Sequence, residues 1–274
     1  MQISGPIGVF DSGYGGLSIL REIHKHLPQA DYIYLGDNAR APYGTRSFDL
    51  VYEFTLQAVK ELFSRGCNLV ILACNTASAK ALRSIQQRDL PAIDPDRRVL
   101  GVIRPTAEAI GQATKSRSVG LFATPGTVAS QSYDMEIGKL YPDVEVHSHA
   151  CPMWVPLVEN LETNNPGADY FIKKDIDSLF GSHKDIDTLI LGCTHYPLLL
   201  SSIERHVPKG TKILNQGEIT AISLKDYLKR HPEINRRITR NGTIQYFTTE
   251  HPDKFNTLAS VFMGRPVEAN KIVL

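Results

Sequence analysis

Cys74 and Cys193 stand in matching surroundings. Leu69-Val70-Ile71-Leu72-Ala73-Cys74-Asn75-Thr76 and Leu189-Ile190-Leu191-Gly192-Cys193-Thr194-His195 are each an apolar run, a small residue, a cysteine and a polar pair. Short apolar runs of this kind read as buried strands, so each cysteine falls at a strand's carboxyl end, just before a helix. Ligands of open α/β sheets bind at that edge. A helix N-terminus offers unpaired N–H groups and partial positive charge, which favour thiolate and lower a cysteine pKa from its usual ~8.5. Asn75 with Thr76, and Thr194 with His195, are short polar residues suited to capping a helix or binding a carboxylate. A lone buried cysteine usually serves as small apolar filler. Two in matching contexts, each followed by polar residues, point instead to reactive thiols. Such a pair could move a proton on and off a carbon, exchange a disulfide, or line a binding cleft without turnover.

The other two cysteines are expected to be structural, Cys67 at the start of a strand and Cys151 before Pro152 with no helix start nearby. Four cysteines without a C-x-x-C pair do not make a disulfide framework. Cys193-x-His195 lacks a second pair of ligands, so no metal site is expected. Val9-Phe10-Asp11-Ser12-Gly13-Tyr14-Gly15-Gly16-Leu17 is a strand entering a glycine-rich turn and a helix. A dinucleotide fingerprint would need glycine where Ser18 stands, and the G-K-[ST] of a phosphate loop is missing, so nucleotide binding is disfavoured. Asp11 and Ser12 are placed where a strand delivers side chains into a cleft. A carboxylate there could steer a thiol proton, bind a substrate ammonium group, or cap the helix.

The elements that position these residues alternate. Short apolar runs at 7–11, 32–36, 69–73, 99–103, 118–123, 144–147, 188–191 and 212–214, with a late one at 245–248, are separated by segments of helical period. Those lie at 16–26, 48–64, 77–87, 106–113, 127–139, 168–180, 198–206 and 221–230. This pattern is α/β, with mainly parallel sheets flanked by helices. At 274 residues the chain has room for two cores. The polar stretch Gln86 to Arg98 and a break near Val207-Pro208-Lys209-Gly210 mark candidate linkers, giving a first lobe of 1–98 plus 211–274 and a second of 99–210. With 42% hydrophobic and 22% charged residues and a net charge of +1, neither disorder nor a global field for nucleic acid or membrane is expected. No basic-then-apolar leader and no membrane-length apolar run is present, so a cytoplasmic location is expected.

Gly8-Val9-Phe10-Asp11-Ser12-Gly13-Tyr14-Gly15-Gly16-Leu17, Pro42-Tyr43-Gly44, Ala73-Cys74-Asn75-Thr76-Ala77-Ser78 and Leu191-Gly192-Cys193-Thr194-His195-Tyr196-Pro197-Leu198 together resemble the glutamate racemases. These are cofactor-independent members of the aspartate/glutamate racemase superfamily. The four blocks run in register from residue 7 to about residue 220. The resemblance implies two pseudo-symmetric α/β lobes with the active site between them, and chemistry without pyridoxal phosphate, metal or nucleotide. It further implies a homodimer and supply of D-glutamate for peptidoglycan, hence for cell wall and cell shape. By motif, Cys74 and Cys193 are the proton-transfer residues, with Asp11 assisting Cys74, and His195 and Glu159 assisting Cys193. The substrate contacts it implies are Asp11, Ser12, Tyr43, Gly44, Asn75, Thr76, Thr194 and His195, with Thr124 and Thr127 from a further segment near the substrate.

Some residues depart from the family pattern. Asn38 stands in Gly36-Asp37-Asn38 where a Gly-Asp-Thr-like run is typical, and a small polar residue is expected to be tolerated there. Leu214-Asn215-Gln216-Gly217-Glu218 differs from the acidic segment of relatives. Arg104, near the lobe crossover, has no assigned role: it reads as a surface cation, with a regulatory or dimer contact as the alternative. An aspartate racemase is the alternative within the superfamily, because one methylene is worth only about 1–3 kcal/mol of discrimination. An acidic-ligand binding protein without turnover is the alternative outside it.

Overall fold

A computed structural model of the chain describes residues 4–274. It is an α/β fold built on two sheets in which every strand pair is parallel. The strands are β1 (Ile7–Asp11), β2 (Tyr32–Gly36), β3 (Leu69–Leu72), β4 (Arg98–Gly101), β5 (Ser118–Ala123), β6 (Glu145–Ala150), β7 (Thr188–Gly192), β8 (Lys212–Leu214), β9 (Ile244–Thr248) and β10 (Ala269–Lys271). The first sheet has the order β10-β9-β2-β1-β3-β4 and the second β6-β5-β7-β8. The central strands β1, β3, β5 and β7 are buried along their whole length. Burial on both faces explains why they read as continuous apolar runs rather than as alternations.

Register decides what reaches the cleft. Phe10 pairs with Leu35 and Leu72, so Asp11 and Ala73-Cys74 leave the first sheet side by side. Ala123 pairs with Ala150 and Gly192, which brings Thr124, Cys151 and Cys193 out of the second sheet together.

Sheet membership differs from the division expected from composition. Residues 99–101 belong to β4 of the first sheet, and β8, at 212–214, pairs with β7 of the second. The stretch expected to be a linker is folded: a π-helical turn Ile85–Asp89 and a short helix Leu90–Ile93 precede β4, with Ile85 and Leu90 in the core. The chain crosses between sheets through helix Ile103–Ala113 and returns after β8 into helix Gln216–Arg230, which packs on helix Gly16–His26. One cluster of buried side chains runs without a break from Leu20 and Phe262 to Trp154 and Leu199, so the two halves share a core.

The helix expected over 127–139 is two helices, Pro125–Ala129 and Ser132–Leu140, interrupted where Gln131 takes a left-handed conformation with φ of 52°. Helices Trp154–Glu159 and Pro252–Met263 and strand β10 were not expected. Arg104 is half-exposed and bonds Glu108 and Glu136 at 2.9 and 3.0 Å. No helix among the described residues is long and apolar enough to cross a membrane.

Candidate active site

Cys74 and Cys193 open onto one cavity of about 140 Å³ between the sheet edges. Drug-sized ligands occupy roughly 300–1,000 Å³, so this space suits something smaller. Of the residues singled out by sequence, Ser12, Tyr43, Gly44, Asn75, Thr76, Thr124, Glu159, Thr194 and His195 line the same cavity. Asp11 and Thr127 do not reach it. Asp11 is buried, its Oδ2 accepting from Gly13 N at 2.8 Å. Thr127 lies beneath Thr76 and Thr124, the three hydroxyls 3.0 to 3.3 Å apart. The wall also includes Thr45, Cys151, Pro152, Val155 and Pro156, which sequence reasoning did not select.

Cys74 caps helix Asn75–Lys80, its Sγ accepting from Ala77 N at 3.4 Å, with Ser12 Oγ also 3.4 Å away. A helix start is expected to favour thiolate, but here burial dominates. Burial and then the Asp11 carboxylate push the Cys74 thiol up to about 12, against a smaller pull from Ser12 and Ala77. Burial also raises the Asp11 carboxyl, opposed by His195 and by the N–H groups of Gly13 and Gly16.

Cys193 is placed differently, three residues before the 3-10 turn Tyr196–Leu199 rather than at an α-helix N-terminus. Its Sγ lies 3.8 Å from His195 Nδ1, and His195 Nε2 lies 3.0 Å from Glu159 Oε1. Burial alone would depress the imidazole. The hydrogen bonds and charge of Cys193 and Glu159 outweigh it and lift His195 to about 10, which favours the charged ring with a donor on each nitrogen. The two thiols therefore differ in company: Cys193 faces a cation and Cys74 a carboxylate.

The glycine-rich turn works by close approach. A Cβ at Gly15 would sit 2.2 Å from Thr194 Oγ1 and 2.6 Å from His195 Nδ1, so glycine lets the Cys193 segment press against the start of helix Gly16–His26. The halves also meet where Gly126 N donates to Gly44 O at 2.7 Å and Ser18 Oγ donates to Thr194 O at 3.2 Å. Tyr43 lies in the cavity wall, yet its hydroxyl donates away from the space, to the buried Asp37, which Arg40 and Thr249 also bond. That network anchors the Pro42-Tyr43-Gly44 loop. Sequence reasoning did not find Asp37, and a buried aspartate preceding a short 3-10 turn carries no distinctive local signal.

Among the described residues, one group has donor atoms close enough to share a metal ion: His149, Cys151 and Asp175, within 4.8 Å of one another. Burial and the Asp175 carboxylate hold the Cys151 thiol far above its ordinary range, which opposes the thiolate a metal needs, and His149 Nε2 is already paired with Asp175 at 3.2 Å. Cys67 is likewise buried and pushed up to about 12.

Two parallel sheets that face one small cavity, each sending a cysteine into it from a strand end, define an α/β enzyme site with paired thiols and a small ligand. A family model described as Asp/Glu/Hydantoin racemase matches residues 7–221, and the chain belongs to that family. A glutamate racemase of Ruegeria sp. (strain TM1040) is 39% identical over 271 residues, covering 95% of this chain and 97% of the relative. A crystal structure of a glutamate racemase from Bacillus anthracis superposes with a TM-score of 0.89 at 35% identity, covering 98% of each chain. One from Francisella tularensis, in complex with D-glutamate, has a TM-score of 0.87 at 33% identity, covering 99% of this chain and 98% of that one.

Proposed function

We propose that this chain is a glutamate racemase, an isomerase that interconverts L- and D-glutamate and supplies D-glutamate for peptidoglycan. The observation that carries the mechanism is that Cys74 and Cys193 share one small cavity while keeping opposite electrostatic company. Inverting a stereocentre needs one group to remove the α-proton and a second to supply one from the opposite face. We assign Cys193, beside the His195 imidazolium, as the base in the resting enzyme, and Cys74, held as thiol, as the acid. The Cys193 thiolate takes the α-proton and becomes a thiol. The electron pair left on carbon spreads into the α-carboxylate, and the Cys74 thiol then protonates carbon from the other side and is left as thiolate. The enantiomer formed is processed by the same steps in reverse.

The α-proton is far less acidic than a thiol, so the intermediate depends on preorganised donors in a water-poor site. Backbone N–H groups and the Asn75, Thr76 and Thr194 side chains are our candidates to hold the carboxylates, with Ser12, Tyr43, Gly44 and Thr124 completing the pocket and Thr127 supporting Thr76 and Thr124. Asp11 acts from behind the wall through Cys74, and Glu159 acts through His195. The reading calls for no cofactor. A homodimer and a cytoplasmic location complete it, and sedimentation of the purified chain tests the former.

The deciding experiment follows α-proton exchange and inversion of L- and D-glutamate in deuterated solvent, without added cofactor, in wild type, Cys74→Ser and Cys193→Ser. Inversion of both enantiomers by wild type, lost in each variant with exchange affected differently for the two enantiomers, is the expected result. A wild type that neither exchanges nor inverts glutamate under reducing conditions overturns the function, and a preference for aspartate overturns the substrate.

A further inference from the structure

Behind the cavity wall lies a fully buried polar network of four side chains, Asn75, Thr106, Tyr133 and Gln216. They come from four elements: the start of helix Asn75–Lys80, helix Ile103–Ala113, helix Ser132–Leu140 and the first residue of helix Gln216–Arg230. Gln216 is the centre. Its Nε2 lies 2.7 Å from Tyr133 Oη, 3.1 Å from Thr106 Oγ1 and 3.2 Å from Asn75 Oδ1, and its Oε1 accepts from Asn75 Nδ2 at 2.7 Å.

The polarity of this network is determined at one end. Thr106 has a single hydroxyl proton, and it goes to Val102 O at 2.9 Å. Toward Gln216, Thr106 can therefore only accept, so the Gln216 atom facing it must be the amide nitrogen. That places the Gln216 oxygen opposite Asn75, which must answer with its own nitrogen. The Asn75 oxygen then takes the proton of Tyr133 Oη at 2.7 Å, while Tyr133 accepts from Gln216. Every member is satisfied in one orientation only, and an amide flip at Asn75 would set oxygen against oxygen and leave Tyr133 without its acceptor. One Asn75 proton is spent on Gln216. The other is left on a residue that lines the cavity.

We propose that Gln216 is a positioning residue for substrate binding, fixing the Asn75 amide so that its nitrogen rather than its oxygen is offered to a substrate carboxylate. The inference rests on the glutamate racemase reading and names the device that orients one of its binding groups. Gln216 ties the turn after Cys74 to helices Ile103–Ala113 and Ser132–Leu140.

The test is a double-mutant cycle on KM and kcat with both glutamate enantiomers, using Gln216→Met, Asn75→Ala and the pair. Methionine keeps the length and loses the hydrogen bonds, and Tyr133, able to donate or accept, no longer imposes one orientation on Asn75. A donor to a carboxylate contributes in both ground and transition states, so Gln216→Met should raise KM by about ten-fold or more for both enantiomers with kcat little changed. In the Asn75→Ala background the same substitution should change KM no further. A fall in kcat with KM unchanged, or effects that multiply independently in the double variant, would overturn the proposal while leaving the wild-type activity as it is. A wild type inactive on glutamate would instead overturn the reading beneath it. If Gln216→Met does not fold, Thr106→Val removes the acceptor that fixes the Gln216 amide, lets the remaining bonds reverse so that Asn75 is no longer held in one orientation, and is put through the same cycle with the same two outcomes.

Discussion

His195 bridges Glu159 and Cys193 with its two different ring nitrogens, Nε2 at 3.0 Å from the carboxylate and Nδ1 at 3.8 Å from the sulfur. The carboxylate therefore acts on the thiol through the ring, helping to keep the imidazole charged while the other nitrogen donates toward sulfur.

Replacing Glu159 by Gln removes part of that support, and the His195 pKa should fall from about 10 toward its ordinary value. The alkaline limb of the kcat/KM profile should move to lower pH, with activity at neutral pH falling by about ten-fold or more. A pH–rate profile checks it, and an unmoved alkaline limb would detach Glu159 from the chemistry. Stability follows the same group. A histidine raised on folding contributes in full below its unfolded pKa of about 6.5, and that contribution is lost as pH rises through about 10. Wild type should therefore lose more thermal stability than Glu159→Gln as pH is raised across that window.

Asp11→Asn should have opposite effects on reactivity and on turnover. Removing the carboxylate charge beside Cys74 lowers the thiol from about 12, and each unit gained is about ten-fold more thiolate at neutral pH. Alkylation of Cys74 by iodoacetamide, followed by peptide mass analysis, should quicken. Racemisation should fall by about 10²-fold or more if Asp11 manages the proton on Cys74. Alkylation no faster than in wild type would show that burial alone holds the thiol up.

Gly15→Ala should damage the site with little backbone strain, because the Gly15 φ of −59° is open to any residue. The added methyl cannot coexist with Thr194 Oγ1 and His195 Nδ1 where they stand, at 2.2 and 2.6 Å. Displacement by about 1 Å is enough to cost on the order of 10²-fold in kcat/KM. Gly138→Ala, where the methyl meets nothing within 4 Å, is the control and should be near neutral.

The legible parts of this molecule were those governed by local pattern. Strands buried on both faces announce themselves as apolar runs, and a cysteine followed by polar residues at the end of such a run could be singled out before any coordinates. What was hidden depended on distance in sequence. Asn75 was chosen as a binding group, but that its amide is oriented by Gln216, 141 positions away, is a matter of packing. The helix start at Cys74 promised a thiolate by a local rule, and burial, a property of the whole fold, reversed it. Glu159 was reached only through resemblance. Its helix, Trp154–Glu159, has six residues and contains Pro156, too short for a helical period to emerge. The break at Gln131 was equally silent, since glutamine has no special leaning toward a left-handed conformation.

The order of strands in the first sheet bears on how the molecule is made. β9 and β10 close that sheet beside β2, so its last strands come from residues 244–271, whereas the second sheet is complete once residue 214 has been added. During synthesis from the N-terminus, the half that carries Cys193 has all of its strands while the half that carries Cys74 still waits for its edge. A nascent chain that has emerged only as far as residue 243 would thus hold a finished second sheet beside an unfinished first one. Loss of residues 245–274, although none of them lines the cavity, should strand the chain with an exposed β2 edge, a target for chaperones and proteases rather than a slower enzyme.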